Sequence, residues 1–429
     1  MIKKYILFLV LIVVSLGPLK AAYILLPMEH DKQKDHLKAY GITYWVLNKG
    51  VEAWWLLNYR GGSFAFEHNK AFEKECLTRG VSFEIVPDAQ FNLILNQIAD
   101  PAANMDAMKL EKAPKIAVYS PEVDAATGKS IQPWDDAVAL VMTYAEIPYE
   151  RIYDQQIIAG VLPQYDWLHL HHEDFTGQYG KFYRMYRNAP WYQQQVQDSE
   201  ALAASLGYAK VSEMKLSVTT RIRDYVAGGG YLFTMCSGTD SYDIALAAEG
   251  VDICTAEFDH DPIDPQAQER IDYNKAFAFQ DFRLVTDPNV YEFSDIDATD
   301  IHGRIGQPRD FFTLFDFSAK WDIVPTMLCQ SHEQVVRGFM GQTTAFRSAL
   351  VKPGVTVMGE NKAQGTVKYI HGEFGLGQWT FYGGHDPEDY QHMVGDPPTD
   401  LALHPNSAGY RLILNNILFP AARKKKQKT

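Results

Sequence analysis

Positive charge is in short supply in this chain. Lysine and arginine total 40 against 53 aspartates and glutamates, a formal charge of −13. That balance argues against a general nucleic-acid binder, which needs a basic footprint. The exception is Arg423 to Lys428, read as a solvated, frayed tail covering 421–429. Long apolar runs are missing after the first residues, so no integral membrane segment is expected in the mature chain. Cysteine is scarce: Cys76, Cys236, Cys254 and Cys329 are the whole set. Their spacing matches no zinc ribbon. None directly follows the N-terminal apolar run, which argues against a lipid anchor. Repeats and low-complexity segments are absent too, and 46% hydrophobic residues with abundant aromatics exclude a disordered chain.

What is present begins with an export signal. Lys3 and Lys4 precede the apolar run Tyr5 to Leu16, Gly17-Pro18 breaks it, and Ala21-Ala22 offers a cleavage point. The expectation is a signal peptide over 1–22 and a mature chain that is periplasmic or extracellular. Loss of Lys3, Lys4 and Lys20 would take the formal charge from −13 to −16. In an oxidising compartment Cys236 could pair with Cys254, which would remove it from any chemistry.

Periodicity then divides the chain. A small N-terminal α/β unit spans 23–110, with strands at Ala22–Pro27, Val51–Tyr59 and Val81–Val86 and helices at Asp35–Asn48 and Ala71–Arg79, the latter closed by Gly80. Met105 to Pro114 reads as a connector. A stronger α/β pattern occupies 111–253 and 360–420, with short turns that imply parallel βαβ units. Between them, 254–359 loses its periodicity and reads as an insertion. Strands Thr366–His371 and Gln378–Tyr382 read as a hairpin at the sheet edge. The fold class is therefore α/β: a mostly parallel sheet with helices on both faces.

Two segments could carry chemistry. In Gly228-Gly229-Gly230-Tyr231-Leu232-Phe233-Thr234-Met235-Cys236-Ser237-Gly238 a strand runs into a Cys and a helix follows. Such a turn lifts the thiol out of the sheet and aims it at backbone N–H groups that favour a thiolate. In Gly383-Gly384-His385-Asp386-Pro387-Glu388 a late strand presents a base with a carboxylate shortly after.

This order resembles the class I glutamine amidotransferase-like superfamily, over roughly 115–250 and 366–418. The resemblance implies a flavodoxin-like fold and amide hydrolysis through a thioester. Cys236 would be the nucleophile, His385 the base and Glu388 its orienter. Ser237, Gly238, His172 and Glu173 would line the substrate or oxyanion side. The chain departs from the family in three places. Thr234 stands where the elbow usually has Gly. Two residues, not one, separate His385 from Glu388. The early strand ends His169-Leu170-His171-His172-Glu173-Asp174 in place of a Gly-Gly oxyanion loop.

The chain also resembles exported bacterial proteins labelled asparagine synthetase B, in His36-Leu37-Lys38-Ala39-Tyr40-Gly41 and Leu57-Asn58-Tyr59-Arg60-Gly61-Gly62-Ser63. It lacks the N-terminal Cys and the Ser-Gly-Gly-x-Asp-Ser loop of a true synthetase. Gly128-Lys129-Ser130 lacks the first Gly of a phosphate loop.

Three readings stay open. One is the Cys-dependent amide hydrolase. Another is a non-catalytic module on the same fold, binding a small molecule or a cell-envelope ligand. The third is a metal-dependent hydrolase on His171 and His172, with His385 or His371 as a further ligand. On a strand His169 and His171 share one face, and His172 faces the other. No organic cofactor is expected. Asp259-His260-Asp261 reads as a solvated loop, and Trp134, Trp167 and Trp191 as core and rim packing.

Overall fold

The computed structural model describes residues 22–121, 135–322 and 333–422. The segment read as an export signal up to residue 21, the Gly128-Lys129-Ser130 stretch, Trp134, Cys329 and the tail from Arg423 lie outside the described residues. No described helix is long and apolar enough to cross a membrane.

The chain is mixed α/β, with two sheets. The smaller contains β1 (Ala22–Leu26), β2 (Ala53–Leu57), β3 (Ser63–Glu67), β4 (Glu84–Pro87) and β5 (Asp106–Leu110), in the order β4-β1-β3-β2-β5. Its helices are α1 (His36–Asn48), α2 (Lys70–Arg79) and α3 (Asp88–Ala99). Helix α2 starts on the Asn69 side chain and stops at Gly80, whose φ of 74° suits a residue without Cβ. The connector expected at 105–114 is instead strand β5, paired with β2. Its sequence, DAMKL, alternates too weakly to announce a strand.

The larger sheet has ten strands. Five are mutually parallel and adjacent: β7 (Glu150–Ile152), β6 (Ile116–Tyr119), β8 (Trp167–His171), β9 (Tyr231–Met235) and β15 (Gly377–Tyr382). Helices α4 (Ala137–Tyr144), α5 (Pro190–Ser205), α6 (Val211–Ala227) and α7 (Ser237–Ala247) lie between these strands in sequence. The terminal helix is α9 (Ala408–Leu418), after the short α8 (Thr299–Ile305).

The pleat divides the core. Trp167, Phe233, Met235 and Tyr382 pack with α1, α4 and α9, while Leu168, Leu170, Leu232 and Phe381 pack with α6 and α7. That alternation on buried strands is what covering both faces of a parallel sheet demands. The first core is continuous with the small sheet, since Tyr40, Trp55 and Phe64 belong to it. Arg411 of α9, itself buried, donates to the Gly61 carbonyl and the Tyr40 hydroxyl, tying the two units together.

One edge differs from expectation. The hairpin β14 (Thr366–Phe374) with β15 forms, but it is interior. Strands β13 (Thr356–Asn361), β10 (Phe311–Leu314) and β11 (Val335–Arg337) continue the sheet beyond β14, and β12 (Phe346–Arg347) also pairs with it. These strands of two to six residues come from the segment read as an insertion, except the last two residues of β13. They are too short for periodicity to reveal.

Candidate functional site

The three parallel strands β8, β9 and β15 deliver His171-His172, Cys236 and His385 to one sheet edge, because each strand ends there. Carboxyl ends of parallel strands are where α/β sheets bind ligands. Cys236 has φ 53° and ψ −143°, a left-handed conformation that costs a non-glycine residue about 1–3 kcal/mol. The sharp strand-to-helix elbow therefore exists. Thr234 is accommodated because Gly238 leaves room: a Cβ there would stand 3.1 Å from Thr234 Oγ1.

The thiol pairs with His172 and not with the expected His385, although a ring nitrogen of His385 stands within 4.8 Å of the sulfur. Cys236 Sγ lies 3.0 Å from His172 Nδ1 and donates its proton to the Gln342 carbonyl at 2.9 Å. The His172 N–H is then the donor toward sulfur. Burial pushes the Cys236 thiol well above its ordinary value, against the pull of the Ser237 N–H. The helix terminus does not make a thiolate here, because desolvation outweighs it. Nor is Cys236 bridged: Cys76, Cys236 and Cys254 are free and buried, and Cys254 Sγ lies 3.3 Å from the Thr176 carbonyl.

Glu388 is not the orienter of His385. Its carboxylate sits 3.1 Å from His404 Nδ1. Glu173 belongs to another cluster: against burial, Asp154 and then Tyr153 and Glu173 raise the Lys215 ammonium. The Glu173 backbone carbonyl accepts from the Ser241 hydroxyl. The Ser237 hydroxyl is buried without a hydrogen bond among the described residues. His371 stays on β14 and contacts Thr380 Oγ1 at 3.0 Å, apart from the other histidines.

The sheet edge gathers a different set. The His385 ring lies 4.5 Å from that of His171, 5.3 Å from His172 and 4.7 Å from His392, centre to centre. Asp135 Oδ1 stands 2.9 Å from His392 Nε2 and 3.6 Å from His385 Nε2. Yet neither nitrogen of His385, nor His392 Nε2, nor either Asp135 oxygen makes a hydrogen bond among the described residues. The atoms are close, but the N–H directions miss. Nδ1 of His392 donates to Asp389 Oδ2 at 3.0 Å. With Nδ1 taken by Asp389, Nε2 is the His392 atom that faces the Asp135 carboxylate.

Charge follows from this crowding. Burial first, then His171, lowers the His385 ring, and burial, then His385 and His171, lowers the His172 ring as well. The carboxylates of Asp135 and Asp389 raise His392 to about 9 against burial. Burial would lift the Asp135 carboxyl, but His385 and His392 hold it well below its usual range.

Of five groups among the described residues with ligand atoms within metal-binding reach, three lie at this sheet edge: Asp135 with His385 and His392, His172 with Cys236 and His385, and Asp136 with His169 and His171. A cavity of about 170 Å³ opens onto His172, His385 and His392, walled by Phe182, Tyr186, Tyr291 and Met340. The segment read as an insertion supplies part of this wall. Gly341 has to be glycine there, since a Cβ would lie 2.8 Å from the His385 backbone nitrogen and 3.1 Å from Cys236 Sγ.

Sequence reasoning missed Asp135, Asp136 and His392. The available signals were the Asp-Asp pair ahead of α4, which begins on the same sheet edge, and a second histidine seven residues beyond His385. Elsewhere Asp259 and Asp261 join Asp252 around Lys210, so the Asp-His-Asp loop is an ion-pair cluster at the surface. Trp167 is core, and Trp191 packs on Phe182 and Tyr186.

No family model and no curated protein matches the chain. Among solved structures it is similar to cytoplasmic protein STM3548 from Salmonella typhimurium, with 9% identity, 72% of this chain and 100% of that one covered, and a TM-score of 0.35. It is similar to cytoplasmic protein STM1381 from Salmonella typhimurium LT2, with 12% identity, coverages of 72% and 100%, and a TM-score of 0.34. A β-galactosidase from Bacillus circulans sp. alkalophilus gives 12% identity, coverages of 65% and 29%, and a TM-score of 0.26.

Proposed function

We propose that this chain is an exported metal-dependent hydrolase whose ion sits on Asp135, His385 and His392. The observation that carries it is the convergence of three buried or half-buried ligand side chains whose polar atoms approach to 2.9–3.6 Å without hydrogen-bond geometry. Ligands on a common ion stand about that far apart, with lone pairs aimed at the ion and not at each other. Two imidazoles and one carboxylate leave coordination positions open toward the cavity, as a catalytic site requires. Asp389 takes the second N–H of His392 and fixes its tautomer, the usual support for a ligating histidine.

A divalent ion held there would polarise a carbonyl or phosphoryl oxygen and acidify its bound water. The protein's own groups do the rest. His172 lines the same cavity and stands where it can pass a proton. Phe182, Tyr186, Tyr291 and Met340 exclude water and receive the apolar part of a substrate. The parallel order β7-β6-β8-β9-β15 is the 2-1-3-4-5 order of flavodoxin-like sheets, which supports the scaffold that the amidotransferase resemblance implies.

A second reading is favoured by the elbow at Cys236. Positive φ at a strand-to-helix turn suits a nucleophile, and His172 in its other tautomer, with Nδ1 unprotonated, would be its base in place of His385. One experiment separates the two. The full chain is purified without chelators, its metal content is measured, and hydrolysis of chromogenic ester, amide and phosphoester substrates is followed with and without chelator. Bound zinc and chelator-sensitive hydrolysis restored by Zn²⁺ support the metal reading. Undiminished hydrolysis by metal-free protein overturns it. Loss of hydrolysis in Cys236→Ala with metal content intact supports the thiol.

A further inference from the structure

One step inward from His385, the same sheet edge holds a second cluster that hydrolysis at Asp135 does not use. His169 and His171 lie on one face of β8, at 0% and 4% exposure. His169 Nδ1 lies 3.2 Å from the Phe233 carbonyl, an acceptor only, so Nδ1 carries the proton. In the neutral ring Nε2 is then a lone pair, and it faces Asp136 Oδ1 at 3.3 Å. His171 Nδ1 approaches the same oxygen to 3.2 Å. Neither His169 Nε2 nor either nitrogen of His171 has a hydrogen bond among the described residues. Asp136 is not adjustable, because Oδ1 accepts from the Val138 and Ala139 N–H groups at the start of α4.

We infer that Asp136, His169 and His171 hold a divalent cation of their own, behind the ion at Asp135. Lone pairs and a carboxylate crowded around one point repel unless positive charge lies among them. Burial magnifies that repulsion, since little water screens it. The donor set is imidazole and carboxylate, which suits zinc and its neighbours and not magnesium or calcium. The N–H groups of α4 that grip Asp136 are the second contacts that ligating carboxylates normally have. The two sites are contiguous. Asp135 and Asp136 are consecutive, and the His171 and His385 rings are 4.5 Å apart. The inference rests on the hydrolase reading in one respect only: it makes that centre a pair of ions on adjoining ligand sets.

The test is ion stoichiometry on the full chain. Protein stripped with chelator is titrated with Zn²⁺ and weighed by native mass spectrometry, then titrated with Co²⁺ and followed by its visible absorption. The expected result is two ions in the parent, one in His171→Gln and one in His392→Gln. A single ion lost in His392→Gln and kept in His171→Gln overturns the inner site and leaves the hydrolase reading standing. A single ion lost in His171→Gln and kept in His392→Gln supports the inner site and overturns the outer one. No ion at all overturns both. If the variants unfold, the metal-free parent's Co²⁺ spectrum decides: a second equivalent that adds absorption supports the inner site, and saturation at one equivalent overturns it.

Discussion

Nε2 of His392 and Oδ1 of Asp135 are 2.9 Å apart and do not hydrogen-bond. Two such groups, brought together by separate loops and half-buried, would normally turn to share a proton. Asp389 fixes the His392 ring from behind, through Nδ1.

The first expectation concerns that support. Asp389→Asn keeps the shape but weakens the acceptor on His392 Nδ1. Zn²⁺ affinity, measured by competition with a chromophoric chelator, should fall about 10–100-fold, the usual effect of losing such a partner. Melting of the metal-free protein should hardly change, because Asp389 has 35% of its side chain exposed. Unaltered affinity would mean that His392 is not a ligand.

The elbow offers a second measurement. Gly238→Ala places a methyl 3.1 Å from Thr234 Oγ1 in a fully packed region. Overpacking of this kind costs about 1–3 kcal/mol. Thr234→Ala removes the obstructing hydroxyl, so the double variant should recover part of the loss. Urea unfolding of the two single variants and the double one gives the coupling; additive effects would show that Thr234 and Gly238 do not share the space.

The elbow was legible because it is local. A run of buried strand residues, a Cys, then Ser-Gly and a helix can be read in one stretch of chain. His385 was legible for the same reason, at the end of an apolar strand, and so was the shared face of His169 and His171, which follows from strand period alone. Partner choice was not legible. Glu388 was selected by its nearness in sequence to His385, but the chain after β15 is a loop with no fixed period, and it carries Glu388 to His404 and His392 to Asp135. Asp135 stands just ahead of α4, far from His385 in sequence, and only the folded strand order brings it near. The short strands β10 to β13 were hidden because two to six residues hold no readable alternation.

Asp243 supplies a pH dependence. It lies on α7 and accepts from the backbone N–H groups of Phe277, Ala278 and Phe279, so it anchors the chain that follows the elbow helix. Burial raises its carboxyl from 3.8 to about 6 despite those donors. Between these values the folded chain keeps a proton that the unfolded chain has lost. Its contribution to stability is therefore full below about pH 4 and falls as pH rises through about 6. Asp297 is raised to about 6 by burial as well and acts in the same sense. Asp243→Asn should remove its own share of the slope. It should also cost about 2–3 kcal/mol, because an amide NH₂ is set against backbone donors. Urea unfolding at pH 4.5 and pH 7 checks both; an unchanged slope would show that Asp243 does not titrate in this window.

The last expectation separates a resting thiol from an activated one. Burial pushes Cys76 up to about 12 and Cys236 and Cys254 upward as well. Alkylation proceeds through the thiolate, so each unit of upward shift slows it roughly tenfold. Restricted access slows it further. In the native protein at pH 8, iodoacetamide should therefore label Cys76, Cys236 and Cys254 at least about 100-fold more slowly than in urea. Peptide mass spectrometry resolves the sites one by one. Cys236 has one feature the other two lack, a histidine nitrogen at 3.0 Å. If Cys236 alone reacted quickly in the native state, that histidine would be drawing off its proton, and the thiol would be the nucleophile that its strained backbone suits it to be. Slow labelling at all three sites, unchanged when Zn²⁺ is stripped, leaves the histidine and aspartate cluster as the chemistry-bearing part of the sheet edge.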